Sequence, residues 1–303
     1  MRRRQGLMPD ERPVGRWRTG LNSKMKNTTR CAGRASLASS IALAILSSPA
    51  IGQDATVQYL ANEGVMVTSG DSKVLFDPLF DNGFRTYQMV PDDVRSAIFA
   101  GEAPYDGVDA IFVSHFHGDH FSAADVLRLM RAQPSIHLYA PAQATAAIRE
   151  IATADDQAVL DRMTGLDLEY GDAPVHISAG ELSIDAAFVP HSGWPTRRTE
   201  VQNIAFRVRF ADDGTVLHLG DADARSIHFE ADADYWEQQA IDVALPPYWF
   251  FESEDGVEIL EFRLDVMHAI GIHVPDELVD PGRRSEALLG EDLFTRPGEG
   301  RRF

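Results

Sequence analysis

The chain has 303 residues, of which 44% are hydrophobic, and a formal net charge of −18 at pH 7. This composition supports a sizeable core and excludes a fully disordered protein. The first 52 residues contain ten Lys or Arg and two acidic residues, so the net charge of the remainder falls from −18 to −26. An acidic body without a basic patch repels phosphate backbones, which argues against nucleic-acid binding.

Residues 1–52 are predicted to be a leader, with residues 25–52 resembling a secretory signal peptide. Basic residues precede a short apolar stretch at 37–46, and small residues follow it. That stretch is half of the roughly 20 residues that a membrane span needs, which favours cleavage over a permanent anchor. Translation starts either at Met25 or at Met1 with a long basic region. We expect a periplasmic or secreted protein that begins near residue 53 and keeps no stable membrane anchor.

The only cysteine, Cys31, lies in this leader. The body therefore has no disulfide framework and no cysteine to act as nucleophile or metal ligand.

In the body, residues 53–280 are predicted to form a single domain in which short strands alternate with turns and helices. Strand-like runs lie at 56–60, 65–68, 73–76, 110–114, 136–139, 166–170, 175–177, 182–189, 204–210, 215–219, 243–245 and 269–272. Helical spacing lies at 123–132, where Ser122 is a candidate cap, and at 142–151, 235–239 and 257–267. Two halves, each with strands followed by helices, indicate a two-sheet sandwich covered by helices. The charged, Gly-rich tail at 281–303 is expected to be loosely held.

One short segment contains four of the candidate metal ligands. Ser114-His115-Phe116-His117-Gly118-Asp119-His120 follows an apolar strand and precedes a helix. His115 and His117 point the same way in an extended segment, so one metal ion can take both. The turn at Gly118 would aim the last two side chains at a second site. The alternative is a solvated polar cluster, which four ligand-capable groups beside a buried strand make improbable.

The run matches the H-x-H-x-D-H signature of the metallo-β-lactamase superfamily, and residues 56–275 resemble that family. Further matches follow in the expected order, each where a predicted strand ends: His191 in Val189-Pro190-His191, Asp221 in Leu219-Gly220-Asp221, and His273. The run Val74-Leu75-Phe76-Asp77-Pro78 also resembles the strand before the active site of this family. The resemblance implies an α+β fold, a four-layer αββα sandwich.

The resemblance also implies a role for each matched residue. His115, His117 and His191 would bind one metal, Asp119, His120 and His273 a second, and Asp221 would bridge them. His268 is the alternative to His273. Asp119 would also be catalytic, orienting the attacking hydroxide and accepting its proton. Asp77 either orients a ligand imidazole or is a turn residue before Pro78, and His218 is a core or supporting histidine.

These residues predict a hydrolase with two Zn²⁺ ions per chain, although iron and manganese also suit this ligand set. A hydroxide generated at the metals would attack a small-molecule ester, lactone or phosphodiester. Some β-lactamases of this family use a cysteine ligand, and those that keep the H-x-H-x-D-H run generally lack a bridging aspartate. The lack of a cysteine in the body and the presence of Asp221 therefore argue against a β-lactamase. The alternative is a non-hydrolytic protein on the same fold, either a metal-binding or ligand-binding module or an iron-dependent redox protein. The sequence leaves the oligomeric state open.

Aromatic residues near the predicted metal edge are candidates for a substrate pocket, and we expect two or three of them to touch substrate. They are Phe116, Phe121, Trp194, Tyr248, Trp249 and Phe250.

Overall fold

A computed structural model describes residues 55–211, 214–230 and 233–303. The predicted leader, residues 1–52, lies outside these ranges. No helix among the described residues is long and apolar enough to cross a membrane.

Two mixed β-sheets form the centre of the molecule. The first contains, in spatial order, β13 (Gly300–Arg302), β1 (Thr56–Ala61), β2 (Gly64–Ser69), β3 (Ser72–Phe76), β4 (Ala110–Phe112), β5 (His137–Pro141) and β6 (Met163–Leu166). The second contains β12 (Val266–Ala269), β11 (Ile241–Leu245), β10 (Thr215–His218), β9 (Ile204–Arg209), β8 (Leu182–Phe188) and β7 (Val175–Ala179).

Helices cover the outer face of each sheet. They are α1 (Asp92–Ala100), α2 (Ala123–Ala132), α3 (Ala142–Ile151) and α4 (Gln157–Leu160) on the first, and α5 (Ile227–Glu230), α6 (Ala233–Glu237) and α7 (Glu254–Glu258) on the second. Three hydrophobic cores separate the four layers, one between the sheets and one beneath each helical layer. The predicted αββα sandwich is therefore confirmed.

Strand direction brings the ends of several strands to one edge. In the first sheet, β3 runs parallel to β4. In the second, β10, β11 and β12 are mutually parallel, and β8 shares their direction because β9 is antiparallel to both β8 and β10. The segments that follow β3, β4, β8, β10 and β12 carry all the residues matched to the family signature.

Several predicted elements differ from the structure. Helix α1 was not predicted, although Asp92 and Asp93 in its first turn and Gly101 after its end are helix-boundary signals. The helix expected at 257–267 ends early, as a π-helical turn at Ile259–Arg263. The following strand is Val266–Ala269 rather than 269–272, because Val266, His268 and Ala269 pair with β11. Ser122 is the N-cap residue of α2, but its side chain makes no capping hydrogen bond.

The tail prediction is wrong. Residues 300–302 form β13, which pairs antiparallel with β1. Phe294 is fully buried, and its ring stacks on that of Tyr59 with 5.1 Å between centroids. The tail thus adds an edge strand to the first sheet and is not loosely held.

Candidate metal centre

The first group of ligands forms around the loop that follows β4. His115 Nε2 lies 3.1 Å from His117 Nδ1, and His191 Nε2 lies 3.2 Å from the same nitrogen. Ligands about 2.1 Å from a tetrahedral zinc ion stand about 3.4 Å from each other, so this spacing fits a shared ion. With Asp221, the three histidines form one candidate metal group.

The second group lies alongside. Asp119, His120 and His273 place their ligand atoms within 4.8 Å of one another. His273 Nε2 lies 3.5 Å from Asp119 Oδ2, and His120 Nε2 lies 3.8 Å from the same oxygen. The structure therefore brings His273 into the group, whereas His268 pairs with Asp292 elsewhere, at 2.9 Å.

Asp221 faces both groups, with one carboxylate oxygen towards each. Its Oδ2 lies 3.2 Å from His191 Nε2 and 3.9 Å from His115 Nε2. Its Oδ1 lies 3.1 Å from His273 Nε2 and 3.3 Å from His120 Nε2. Such a carboxylate can bridge two ions.

Several buried atoms in the second group and in Asp221 beside it have no hydrogen-bond partner among the described residues. They are Asp221 Oδ1, His120 Nε2 and both ring nitrogens of His273. Unsatisfied buried polar atoms are costly, and an ion between them would satisfy the three that converge. The residues thus fit a metal centre on geometry as well as on donor type.

A hydrogen-bond network fixes which nitrogen carries the proton in three of the histidines, His115, His120 and His191. His120 Nδ1 donates to Asp77 Oδ2 at 2.9 Å, and His191 Nδ1 donates to the Ser192 carbonyl at 2.9 Å. Ser114 Oγ donates to Asp77 Oδ2 at 2.5 Å, which leaves its lone pair for His115 Nδ1 at 3.0 Å. Each of these imidazoles keeps its Nε2 lone pair for a metal.

The electrostatics favour ligand forms for several members. Burial and the neighbouring His120 hold the pKa of His115 well below its ordinary value. Burial and His191 lower the pKa of His117 to about 4. Although burial alone favours the neutral acid, His273 and His120 hold the pKa of Asp221 well below its usual range. Neutral imidazoles and an ionised carboxylate are the forms that bind metals.

Glu63 is a buried acid at the site that the sequence analysis missed. It lies in the turn between β1 and β2, with its Oε2 3.7 Å from His120 Nδ1 and 3.7 Å from His218 Nε2. Its side chain is fully buried, and neither carboxyl oxygen has a hydrogen-bond partner in the part of the chain that the structure describes. Burial raises its pKa well above the ordinary value. A turn residue gives no sequence signal of such burial. His218 Nε2 donates to the Glu63 carbonyl at 3.1 Å, a supporting position.

A cavity of about 370 Å³ opens over the two groups. Of the six predicted aromatic residues, only Trp249 lines it, together with Phe84 and Tyr87, which were not predicted. Trp194 lines a neighbouring cavity of about 450 Å³. Phe121 and Phe250 are core residues, and Phe116 is partly exposed beside His117.

Three further histidines lie outside the two ligand groups. His228 is buried beside Asp223, with its Nε2 3.2 Å from Asp223 Oδ1. His176 lies on the surface beside Asp185, and His137 is also exposed.

Comparison with known proteins agrees with the fold. A family model described as a beta-lactamase superfamily domain matches residues 72–272. A search of curated proteins finds no significant match.

Solved structures resemble the chain at low identity. An isothiocyanate hydrolase from Delia radicum gut bacteria is 14% identical with a TM-score of 0.54, over 82% of this chain and 99% of that one. A possible metal-dependent hydrolase from Veillonella parvula is 12% identical with a TM-score of 0.52, over 83% and 100%. CmlA, a diiron β-hydroxylase from Streptomyces venezuelae, is 14% identical with a TM-score of 0.50, over 84% and 55%.

The family model spans about two thirds of the chain, from β3 through the bridge that precedes His273. Its match, the αββα architecture and the His and Asp cluster at the common strand edge all lead to one conclusion. The chain belongs to the metallo-β-lactamase superfamily of metal-dependent hydrolases.

Proposed function

We propose that this protein is a dinuclear zinc hydrolase that cleaves a small-molecule ester, lactone or phosphodiester. The observation that carries the proposal is the placement of Asp221, which presents one oxygen to His191 at 3.2 Å and the other to His273 at 3.1 Å. A single metal would need only one of the two groups. Zinc suits the all-nitrogen-and-oxygen ligand set.

Charge balance supports two ions rather than one. Four acidic side chains are buried at the site, namely Asp77, Asp119, Asp221 and Glu63. Among the described residues, these four form ion pairs only with histidines. Because burial raises the pKa of Glu63, only the three aspartates are counted as charged. One divalent cation cannot neutralise three carboxylates, and the buried negative charge that it would leave is costly.

Metal ions at this site would supply Lewis acidity and lower the pKa of water. Side chains of the protein would orient the attacking water, accept its proton and bind the substrate oxygen. Asp119, at the floor of the cavity, is placed to orient the attacking water and to accept its proton. Burial and the nearby Asp221 raise the pKa of Tyr87, so its phenol stays protonated and can donate a hydrogen bond to a substrate oxygen.

The cavity favours a small substrate. Its volume of about 370 Å³ lies at the lower end of the range for small-molecule sites. Phe84, Tyr87 and Trp249 give it aromatic walls. The acidic body argues against a nucleic-acid substrate, and the leader pattern supports export to the periplasm or beyond. Cell fractionation with N-terminal sequencing should find the protein in the periplasm or medium with a start near residue 53, and protein confined to the cytoplasm that keeps residues 25–52 would contradict export.

Iron is the main competing metal. One of the similar structures is called a diiron hydroxylase, and histidine with carboxylate also suits iron. Metal identification therefore separates the hydrolase from a redox protein on the same fold.

The test is elemental analysis of the purified protein, of Asp221→Ala and of the control His268→Ala, whose histidine lies outside the cluster. We expect about two zinc ions per chain in the wild type and the control, and one or fewer in Asp221→Ala. Zinc-loaded protein should then hydrolyse at least one member of a panel of lactones, esters and phosphodiesters. One ion or none in the wild type would contradict the dinuclear site, and stoichiometric iron would favour the redox alternative.

A further inference from the structure

A second cavity adjoins the metal cavity and shares one wall with it. This outer cavity, of about 450 Å³, is lined by Tyr170, Trp194 and the ligand His191, among others. Arg198 lines both cavities. A substrate with its reacting bond at the metal centre could therefore reach past Arg198 into the outer cavity.

Arg198 is the one Lys or Arg among the described residues that line the metal cavity. Its Nη1 donates to the Ser192 carbonyl at 3.3 Å, and it has no ion-pair partner among the described residues. Its backbone lies in the left-handed region, with φ of 58°. That conformation costs about 1 kcal/mol or more for a side chain other than glycine, and such strain clusters at functional sites. An unpaired guanidinium at the rim of an acidic cavity suits an anionic group.

Part of the wall of the outer cavity is aromatic. The rings of Tyr170 and Trp194 lie 5.3 Å apart at 49°. Behind them, the buried His228 ring meets Trp194 edge-on at 5.0 Å, and its Nδ1 lies 3.4 Å from the Tyr170 hydroxyl. Arg225 stacks on Trp194 at 4.9 Å. Such a pair of neighbouring rings is a surface on which a flat apolar group can pack.

This aromatic pair is tied to the metal ligands. Asp223, two residues after Asp221, accepts from Arg225 Nε at 2.5 Å and lies 3.2 Å from His228 Nε2. Its backbone N–H donates to the Pro190 carbonyl at 2.8 Å, next to His191. Asp223 and His228 thus act as positioning residues that set the place of the Tyr170 and Trp194 rings relative to the metal centre.

We propose that the outer cavity binds an aromatic arm of the substrate and that Arg198 binds an anionic group on the same molecule. The substrate class is then an anionic ester or lactone with a flat apolar arm. The substrate part of this inference rests on the proposed hydrolase function, whereas the binding site itself can be tested without turnover.

The binding test uses the metal-loaded protein and 2-naphthalenesulfonate, which has no hydrolysable ester and whose sulfonate is a weak zinc ligand. Isothermal titration should show binding that falls about tenfold or more in Arg198→Gln. The matched control Arg197→Gln, which changes an exposed neighbour that lines neither cavity, should bind like the wild type. Neutral 2-naphthylmethanol should lose little affinity in Arg198→Gln, and both probes should weaken in Tyr170→Ala. Undetectable binding, or equal binding by Arg198→Gln and wild type, would overturn the inference.

A kinetic test separates this inference from the proposed function. In Arg198→Gln, KM should rise about tenfold for the anionic half-ester 1-naphthyl succinate and change little for neutral 1-naphthyl acetate. An equal change for both esters would overturn the role of Arg198. Probe binding that depends on Arg198, without turnover of any ester, lactone or phosphodiester of the panel by the wild type, would uphold the binding site and contradict the hydrolase.

Discussion

Gly220 shows how tightly the residues around the ligands are packed. Its φ is 55°, and a Cβ there would lie 2.4 Å from Asn203 Oδ1 and 2.6 Å from Ser114 Cβ. Asn203 Nδ2 donates to the Val189 carbonyl at 3.1 Å, and its Oδ1 accepts from the Asp221 N–H at 3.0 Å. One amide therefore joins the strand end before His191 to the backbone of Asp221, and the absence of a side chain at Gly220 leaves room for it.

The substitution Gly220→Ala tests this packing. Gly180→Ala is the matched control, because Gly180 has a φ of 61° and nothing within 4 Å of its would-be Cβ. Alanine in the left-handed region should cost about 1 kcal/mol of unfolding free energy at either position. Gly220→Ala should lose about 1–3 kcal/mol more from overpacking, and should also bind less zinc. If urea unfolding shows the same loss of unfolding free energy in Gly220→Ala and Gly180→Ala, and Gly220→Ala binds as much zinc as the wild type, then Asn203 moves aside without cost.

At the scale of elements, the C-terminal tail shows that a highly charged segment can still form a paired strand. Residues 299–302 are mostly charged, which suggested a solvated segment. Strand pairing uses backbone groups, however, so an edge strand tolerates charged side chains and even benefits from them. Arg301 Nη2 donates to Asp292 Oδ1 at 2.7 Å, and His268 Nε2 lies 2.9 Å from Asp292 Oδ2. Asp292 thereby links β13 to β12, one strand from each sheet.

Asp292→Asn should lower the unfolding free energy by about 1 kcal/mol, since the ion pairs are partly exposed. That corresponds to about 2–4 °C in Tm for a domain of this size. Burial alone would favour the neutral acid, but Arg301 and His268 lower the Asp292 pKa. Its ionised form therefore stabilises the fold above the unfolded pKa of about 3.9, and this contribution is lost as pH falls through the lower folded value.

The Tm difference between Asp292→Asn and wild type should accordingly be largest near pH 7 and narrow below about pH 4. Glu291→Gln, which removes the same charge from the exposed neighbouring residue, is the control and should leave Tm nearly unchanged. A pH-independent difference would mean that the carboxylate's charge contributes nothing.

The elements predicted from sequence were most accurate where local pattern and tertiary role agree. Strands β1, β2 and β3 alternate with turns and match their predicted positions within a residue or two. The run at 166–170 was taken for a strand, whereas β6 ends at Leu166. Its aromatic and apolar residues carry a strand-like signal, yet Tyr170 instead lines the outer cavity. Periodicity cannot distinguish a residue that faces a core from one that faces a cavity.

On the scale of the whole molecule, the seven signature residues converge because their strands end at one edge, which the family pattern anticipates. Glu63, Tyr87 and Arg198 could not be found in this way. Each reaches the site from a turn or loop whose path is set by packing between distant segments. The N–H of His273, for example, donates to the Asn62 carbonyl at 3.0 Å, so the chain's C-terminal part positions the turn that contains Glu63.

Metal should therefore stabilise the whole fold, because the site joins both sheets and buries four acids among histidines. A metal ion present at a concentration of 100 times its Kd adds about 2.7 kcal/mol to the unfolding free energy. Two independent sites would therefore raise Tm by roughly 10–20 °C. Calorimetry with zinc and with chelator measures this difference. It should shrink by at least half in Asp221→Ala, which removes the carboxylate that faces both ligand groups, and persist in His268→Ala. An equal Tm with and without chelator in the wild type, once metal removal is verified, would mean that the buried carboxylates are satisfied without cations.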